Sequence, residues 1–230
     1  MSAPIPLIGG ALLGVAAGSL LVPVTRRELA AALTRSSSGQ ESDAVEVASP
    51  PNLTAWHWVA LAAASGLLPA YVLYKVGWSI IALPPLLLLV GLIQLAYCDL
   101  TRRLLPKNLV YAVTGAVVVS GIVIAGVMHE WDRLKVASIG GAVFFALFLI
   151  INLMNPRWLA FGDVRLSLVV GFGLAWVSPV ALLEGFFVAN LLAAIVGFSL
   201  MALRGAGRRS AVPFGLFLAI GAALVLATWS

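Results

Sequence analysis

Apolar residues in this chain run in blocks too long for a soluble fold. Crossing a bilayer as a helix takes roughly 20 mostly apolar residues. Blocks near that length recur at 5–24, 56–75, 78–98, 109–128, 136–154, 164–177, 179–203 and 212–229. Most are apolar all round a helical projection, so run length rather than amphipathic period carries the signal. The pattern predicts an all-α polytopic membrane protein of about eight transmembrane helices. The sixth block is short, and its border with the seventh falls at Ser178-Pro179. Pro69 and the pair Pro84-Pro85 predict kinks in the second and third blocks. Residues 34–55 break the pattern: they are polar, acidic and rich in Ser and Pro, the composition of a flexible linker. The organisation read from this is a first transmembrane helix at 1–24, a short cytosolic linker loop at 25–55 and a seven-helix membrane core at 56–230.

Composition sharpens the exclusion. The 230 residues are 62% hydrophobic and 10% charged, with a mean hydropathy of +1.07. An ordinary soluble domain, a disordered chain and a nucleic-acid-binding domain are all excluded. The formal charge of +5 sets topology. With the N-terminus outside, the cytoplasmic loops hold Arg26, Arg27, Arg35, Arg102, Arg103, Lys107, Arg157, Arg165, Arg204, Arg208 and Arg209, eleven of the 14 Lys and Arg. Basic residues favour the cytoplasmic side, so both termini are predicted outside. The seven Trp all fall at or near block ends, where amphipathic rings prefer to sit. The first block lacks a preceding positive charge, which argues against a cleavable signal. The single cysteine, Cys98, leaves no intrachain disulfide and no multi-cysteine metal site. It reads as a small packing residue, and His57 and His129 as interface and loop residues rather than ligands. Neither metal nor cofactor is implied.

An ionisable group at membrane depth is costly and therefore a functional candidate. Asp99, Asp163 and Glu184 are the carboxylates at or inside the blocks. Asp99 closes the third block and Asp163 opens the sixth, so the topology puts both at the cytoplasmic face. Two adjoining carboxylates share one proton: the ionised member activates water while its protonated partner polarises a carbonyl, which is peptide hydrolysis without metal or nucleophile. They titrate as a unit, so neither has a fixed role. Gly162, with no Cβ, lets a substrate backbone approach Asp163. The same residues allow other readings: carboxylates paired with Arg102, Arg103 or Arg165, proton-relay groups of a small transporter, or a non-catalytic assembly scaffold. Glu184 projects toward the outside, away from the pair. Gly10, Gly14 and Gly18 predict a close helix contact on the first block.

Four stretches carry a family resemblance. Asp99 is followed by Leu105, Pro106 and Leu109. Residues 160–166 read Ala160-Phe161-Gly162-Asp163-Val164-Arg165-Leu166, close to GxGDxKL. Pro213-Phe214-Gly215-Leu216-Phe217-Leu218-Ala219-Ile220-Gly221 is close to PFGPFLALG, and Gly18-Ser19-Leu20-Leu21-Val22 is similar to GSFLN. Together they resemble the bacterial type IV prepilin peptidases, in the GxGD class of intramembrane aspartyl proteases. The resemblance implies that Asp99 and Asp163 are the catalytic pair, with Gly162, Arg165 and Pro106 supporting substrate approach. It also implies prepilin or pseudopilin substrates, cut at the cytoplasmic membrane face of a multi-pass protein of the bacterial inner membrane. This chain departs from the pattern at Ala160, Arg165, Val22 and Leu216. Its first cytosolic loop lacks the four-cysteine zinc-binding insert of many relatives, which puts N-methyltransferase activity in doubt.

Overall fold

The computed structural model describes residues 55–76, 79–102, 107–155, 161–204 and 214–228. The first predicted span (5–24) and the linker lie outside the described residues, as do the three glycines of the first span. Among the described residues all regular structure is helical. In chain order the helices are α1 (Ala55–Val76), a short 3₁₀ turn (Ile80–Ala82), α2 (Leu83–Arg102), α3 (Lys107–Met128), α4 (Trp131–Met154), α5 (Phe161–Val177), α6 (Pro179–Arg204) and α7 (Phe214–Thr228). Four stretches among the described residues are long and apolar enough to cross a membrane: Ile80–Cys98, Lys107–Met128, Trp131–Met154 and Pro179–Ser199.

The boundaries follow local chemistry. At the 178–179 border, Ser178 caps α6: its Oγ accepts from the Ala181 N–H at 2.9 Å, and Pro179 takes the first helical position, where a missing N–H costs nothing. Replacing Ser178 by Ala is expected to lower stability by about 1 kcal/mol, read as a fall in the unfolding midpoint in detergent. An unchanged midpoint would show the cap to be dispensable. The turn between α3 and α4 is only His129 and Glu130, with His129 in the left-handed region at φ 60°. Helix α4 starts at Trp131, earlier than the apolar block. Its first turns are charged and held by Arg133–Glu130 and Lys135–Asp132 ion pairs, each 3.0 Å and spaced i,i+3. The expected kink at Pro84-Pro85 is not one: both prolines sit in the first turn of α2, where no intrahelical N–H is lost.

Helix α5 is the hub. It packs against α2, α3, α4, α6 and α7, and its residues from Asp163 to Trp176 are buried except Arg165 and Leu168. A helix apolar all round belongs inside a larger protein, and protein encloses this one. Its 17 residues span only about 25 Å, and neighbouring helices enclose it between Asp163 and Trp176 while Phe161 at its start is exposed. The contact with α4 is the most extensive in the bundle and is made through glycine. A Cβ on Gly171 would stand 2.8 Å from Phe144 Cβ and 2.9 Å from the Gly140 carbonyl oxygen, so the two backbones touch. On the other side, Phe144, Phe148 and Phe186 join α4 to α6, with ring centroids 5.1–6.2 Å apart. A buried Gln94–Ser65 hydrogen bond of 3.2 Å ties α2 to α1.

Trp176 corrects one expectation. It lies at a helix end, as its sequence position suggests, but it is buried among protein groups and its Nε1–H donates to the Ile81 carbonyl at 2.9 Å. The exposed Trp131, at the start of α4, keeps the interfacial reading.

Candidate active site

Helices α2 and α5 run antiparallel. The Trp176–Ile81 bond joins the end of α5 to the turn before α2, and Leu88 fills the space beside Gly173. From that contact, Asp99 is eleven residues further along α2, and Asp163 is ten residues back along α5. At about 1.5 Å per residue, each lies roughly 15–17 Å from the contact, toward the same end of the bundle. Asp99 stands in the last turn of α2, and its side chain lies outside what the structure describes.

Asp163 is 7% exposed. It stands in the first turn of α5, where the unsatisfied backbone N–H groups favour a negative charge. Gly162 precedes it in the same turn and is partly exposed. One turn beyond, Ser167 is buried and its hydroxyl donates to the Val164 carbonyl at 2.8 Å, absorbing its own donor. The Ser167 hydroxyl also lies 3.4 Å from the Phe144 carbonyl of α4.

Arg165 takes a different direction. Residues two apart on a helix do not face each other, and its guanidinium lies over two aromatic rings instead. Its Cζ is 4.6 Å from the Phe161 ring centroid and 5.6 Å from that of Tyr111 on α3. Sequence reading missed Tyr111. It follows Lys107 by one turn near the start of a span, a position suited to an interfacial aromatic, but nothing along the chain links it to a residue on α5.

Pro106, Leu105 and Ala160 lie outside the described residues. In the third stretch, a Cβ on Gly221 would meet the Gly185 carbonyl oxygen of α6 at 2.6 Å, so this glycine lets α6 and α7 approach. Glu184 is exposed on the second turn of α6. A cavity of about 280 Å³, lined by Ser79, Ile81, Arg133 and Trp176 among others, opens at the other end of the bundle. Along α5, Trp176 is about 20 Å from Asp163, so this cavity is separate from the carboxylates.

The family model for the type IV leader peptidase family matches residues 86–228, well over half the chain and including both aspartates. The chain belongs to the type IV leader peptidase family. Among its relatives is a prepilin leader peptidase/N-methyltransferase of Legionella pneumophila, 31% identical over 165 residues, which cover 69% of this chain and 54% of the relative. Proteins of the same name from Aeromonas salmonicida and Pseudomonas aeruginosa are each 29% identical; the matches cover 65% and 71% of this chain and 50% and 55% of those proteins. The chain thus spans about half the length of the curated relatives it matches. No solved structure matches it.

Proposed function

We propose that this family member is an intramembrane aspartyl endopeptidase that removes the short leader from type IV prepilins or pseudopilins, with Asp99 and Asp163 as its catalytic pair. The observation that carries the reading is a carboxylate buried to 7% exposure at one end of the central helix. The antiparallel neighbour α2 bears Asp99 at the same level. Arg165, turned onto Tyr111 and Phe161, does not neutralise that carboxylate from its own helix. The family match adds the chemistry, since its relatives carry the name prepilin leader peptidase.

The proposed mechanism needs only this pair and a water molecule. The ionised aspartate takes a proton from water as the oxygen attacks the scissile carbonyl carbon. The protonated partner donates its proton to the carbonyl oxygen, giving a neutral gem-diol. Collapse of that diol breaks the C–N bond: the departing nitrogen takes a proton from the protonated aspartate while the ionised one takes a proton from a diol hydroxyl, which leaves a carboxylic acid, an amine and the pair with its one proton. One acid and one base at a single site require that the two carboxyl groups not ionise together, as two adjoining carboxylates sharing one proton do not.

The wider arrangement belongs to the same proposal. It comprises about eight spans with both termini outside, a first helix at 1–24, a linker at 25–55, and a peptidase core at 56–230 in the bacterial inner membrane. The carboxylates then face the cytoplasm, where a substrate leader is left when its apolar helix enters the bilayer. The basic loops support this orientation. A proton-relay transporter fits less well, because the two acids sit toward one end of the bundle rather than at mid-membrane.

The test is leader cleavage in membranes containing the full chain and a prepilin. A shortened product starting after the leader is expected, and an uncut substrate overturns the reading. Mass spectrometry of that product is expected to show a free N-terminal amine. A methylated amine would assign the transferase activity to this chain as well.

A further inference from the structure

We propose that Lys107, Tyr111 and Arg165 form a binding site for an anionic phospholipid at the Asp163 end of the bundle. The charges point there first. At the opposite end, Arg133 and Lys135 each sit 3.0 Å from a carboxylate. Lys107 and Arg165 form no ion pair among the described residues, so their charge is open to an outside anion. Lys107 is exposed, and Tyr111 follows it by one helical turn on α3. The Arg165 guanidinium lies over that same Tyr111 ring and over Phe161. A guanidinium held over aromatic rings uses its charge there without spending its N–H donors, which stay available to a phosphate. The exposed Tyr111 phenol, one helical turn from Lys107 and on the ring that Arg165 covers, supplies a further donor.

Depth and the surface beyond the cations select a lipid over a free anion. Lys107 opens a membrane-crossing stretch, and Tyr111 lies about 6 Å along it, at the level where aromatic rings meet headgroups. The outer face of α3 continues from Tyr111 as Gly115, Val119 and Ile122, all exposed. A Cβ on Gly115 would meet nothing within 4 Å, leaving a shallow apolar track for an acyl chain. The site thus offers a cationic clamp at headgroup depth with an apolar run behind it. It stands independently of the peptidase reading, because lipid retention is measured without substrate.

The experiment uses the purified full chain in detergent, exposed to phosphatidylglycerol or to phosphatidylcholine of the same acyl chains, with retained lipid counted by native mass spectrometry. Wild type is expected to retain phosphatidylglycerol preferentially, and Lys107→Gln/Arg165→Gln to weaken that retention about tenfold or more. Lys107→Gln alone replaces an exposed side chain with no packing role and is expected to weaken it about fivefold, which keeps the test open if the double variant unfolds. Arg133→Gln, at the other end, should leave retention unchanged. Inorganic phosphate should compete poorly. Wild-type retention in Lys107→Gln, equal retention of both lipids, equal loss in Arg133→Gln, or competition by phosphate as effective as by lipid would each overturn the proposal.

Discussion

Asp163→Asn is expected to slow leader cleavage by about 10²–10⁴-fold while leaving the bundle folded. Asp→Asn keeps the shape of the side chain and one acceptor oxygen, replaces the other oxygen by an NH2 donor, and removes the ability to gain and lose a proton. Because Asp163 is buried in the first turn of α5, a neutral amide there avoids the desolvation penalty of a carboxylate and should not destabilise the helix. Loss of one proton-transfer group costs about 10²–10⁴-fold in rate. Asp99→Asn should give a loss of the same order. The double variant should be little worse than either single one, since groups acting as a unit are not additive. The readout is the initial rate of cleavage in membranes, with thermal unfolding recorded on the same samples. Cleavage near wild type in either single variant would exclude the pair.

The second large effect is expected at Gly171. An added methyl has nowhere to go: the nearest atoms include the Gly140 carbonyl oxygen at 2.9 Å and the Gly141 Cα at 3.1 Å, both backbone. Flexible side chains can turn away from such a clash, but two helix backbones can separate only by moving a whole helix. Gly171→Ala is therefore expected to cost about 1–3 kcal/mol, seen as a lower unfolding midpoint. Cleavage should fall with it, because the displaced helix α5 carries Asp163. Gly115→Ala is the matched control: its methyl enters open space, and the helix-propensity gain of up to about 1 kcal/mol makes it neutral or slightly stabilising. Equal midpoints for Gly171→Ala and Gly115→Ala would contradict the backbone contact.

Much of this architecture was legible from run length. Blocks 56–75, 109–128, 164–177 and 179–203 fall within a few residues of α1, α3, α5 and α6. This works because a bilayer-length apolar run has few alternatives to a helix that satisfies its own backbone. The border at Ser178-Pro179 was legible for a local reason, a capping hydroxyl followed by proline. Run length could not reveal that the charged turn 131–135 continues α4, since its stability comes from i,i+3 ion pairs rather than apolar content. Nor could it reveal that Pro84-Pro85 begin a helix instead of bending one.

The candidate site was legible as residue types and only in part as a place. An acid at a span end is costly enough to mark itself, so Asp99 and Asp163 stand out without coordinates. Arg165 shows the other side. Its charge suggests a partner for the neighbouring acid, but helical rotation directs it onto Tyr111, 54 positions earlier in the chain. The amino-acid sequence by itself determined that this is a helical membrane protein and which acids merit attention, because hydropathy and the cost of buried charge are properties of single residues and short runs. Only the tertiary structure decided that α5 lies at the centre, that glycines bring it against α4, and that Arg165 lies over an aromatic ring of α3. Those facts depend on the order in which similar apolar helices pack, and near-uniform hydrophobicity around each helix gives the sequence no preferred face with which to specify it.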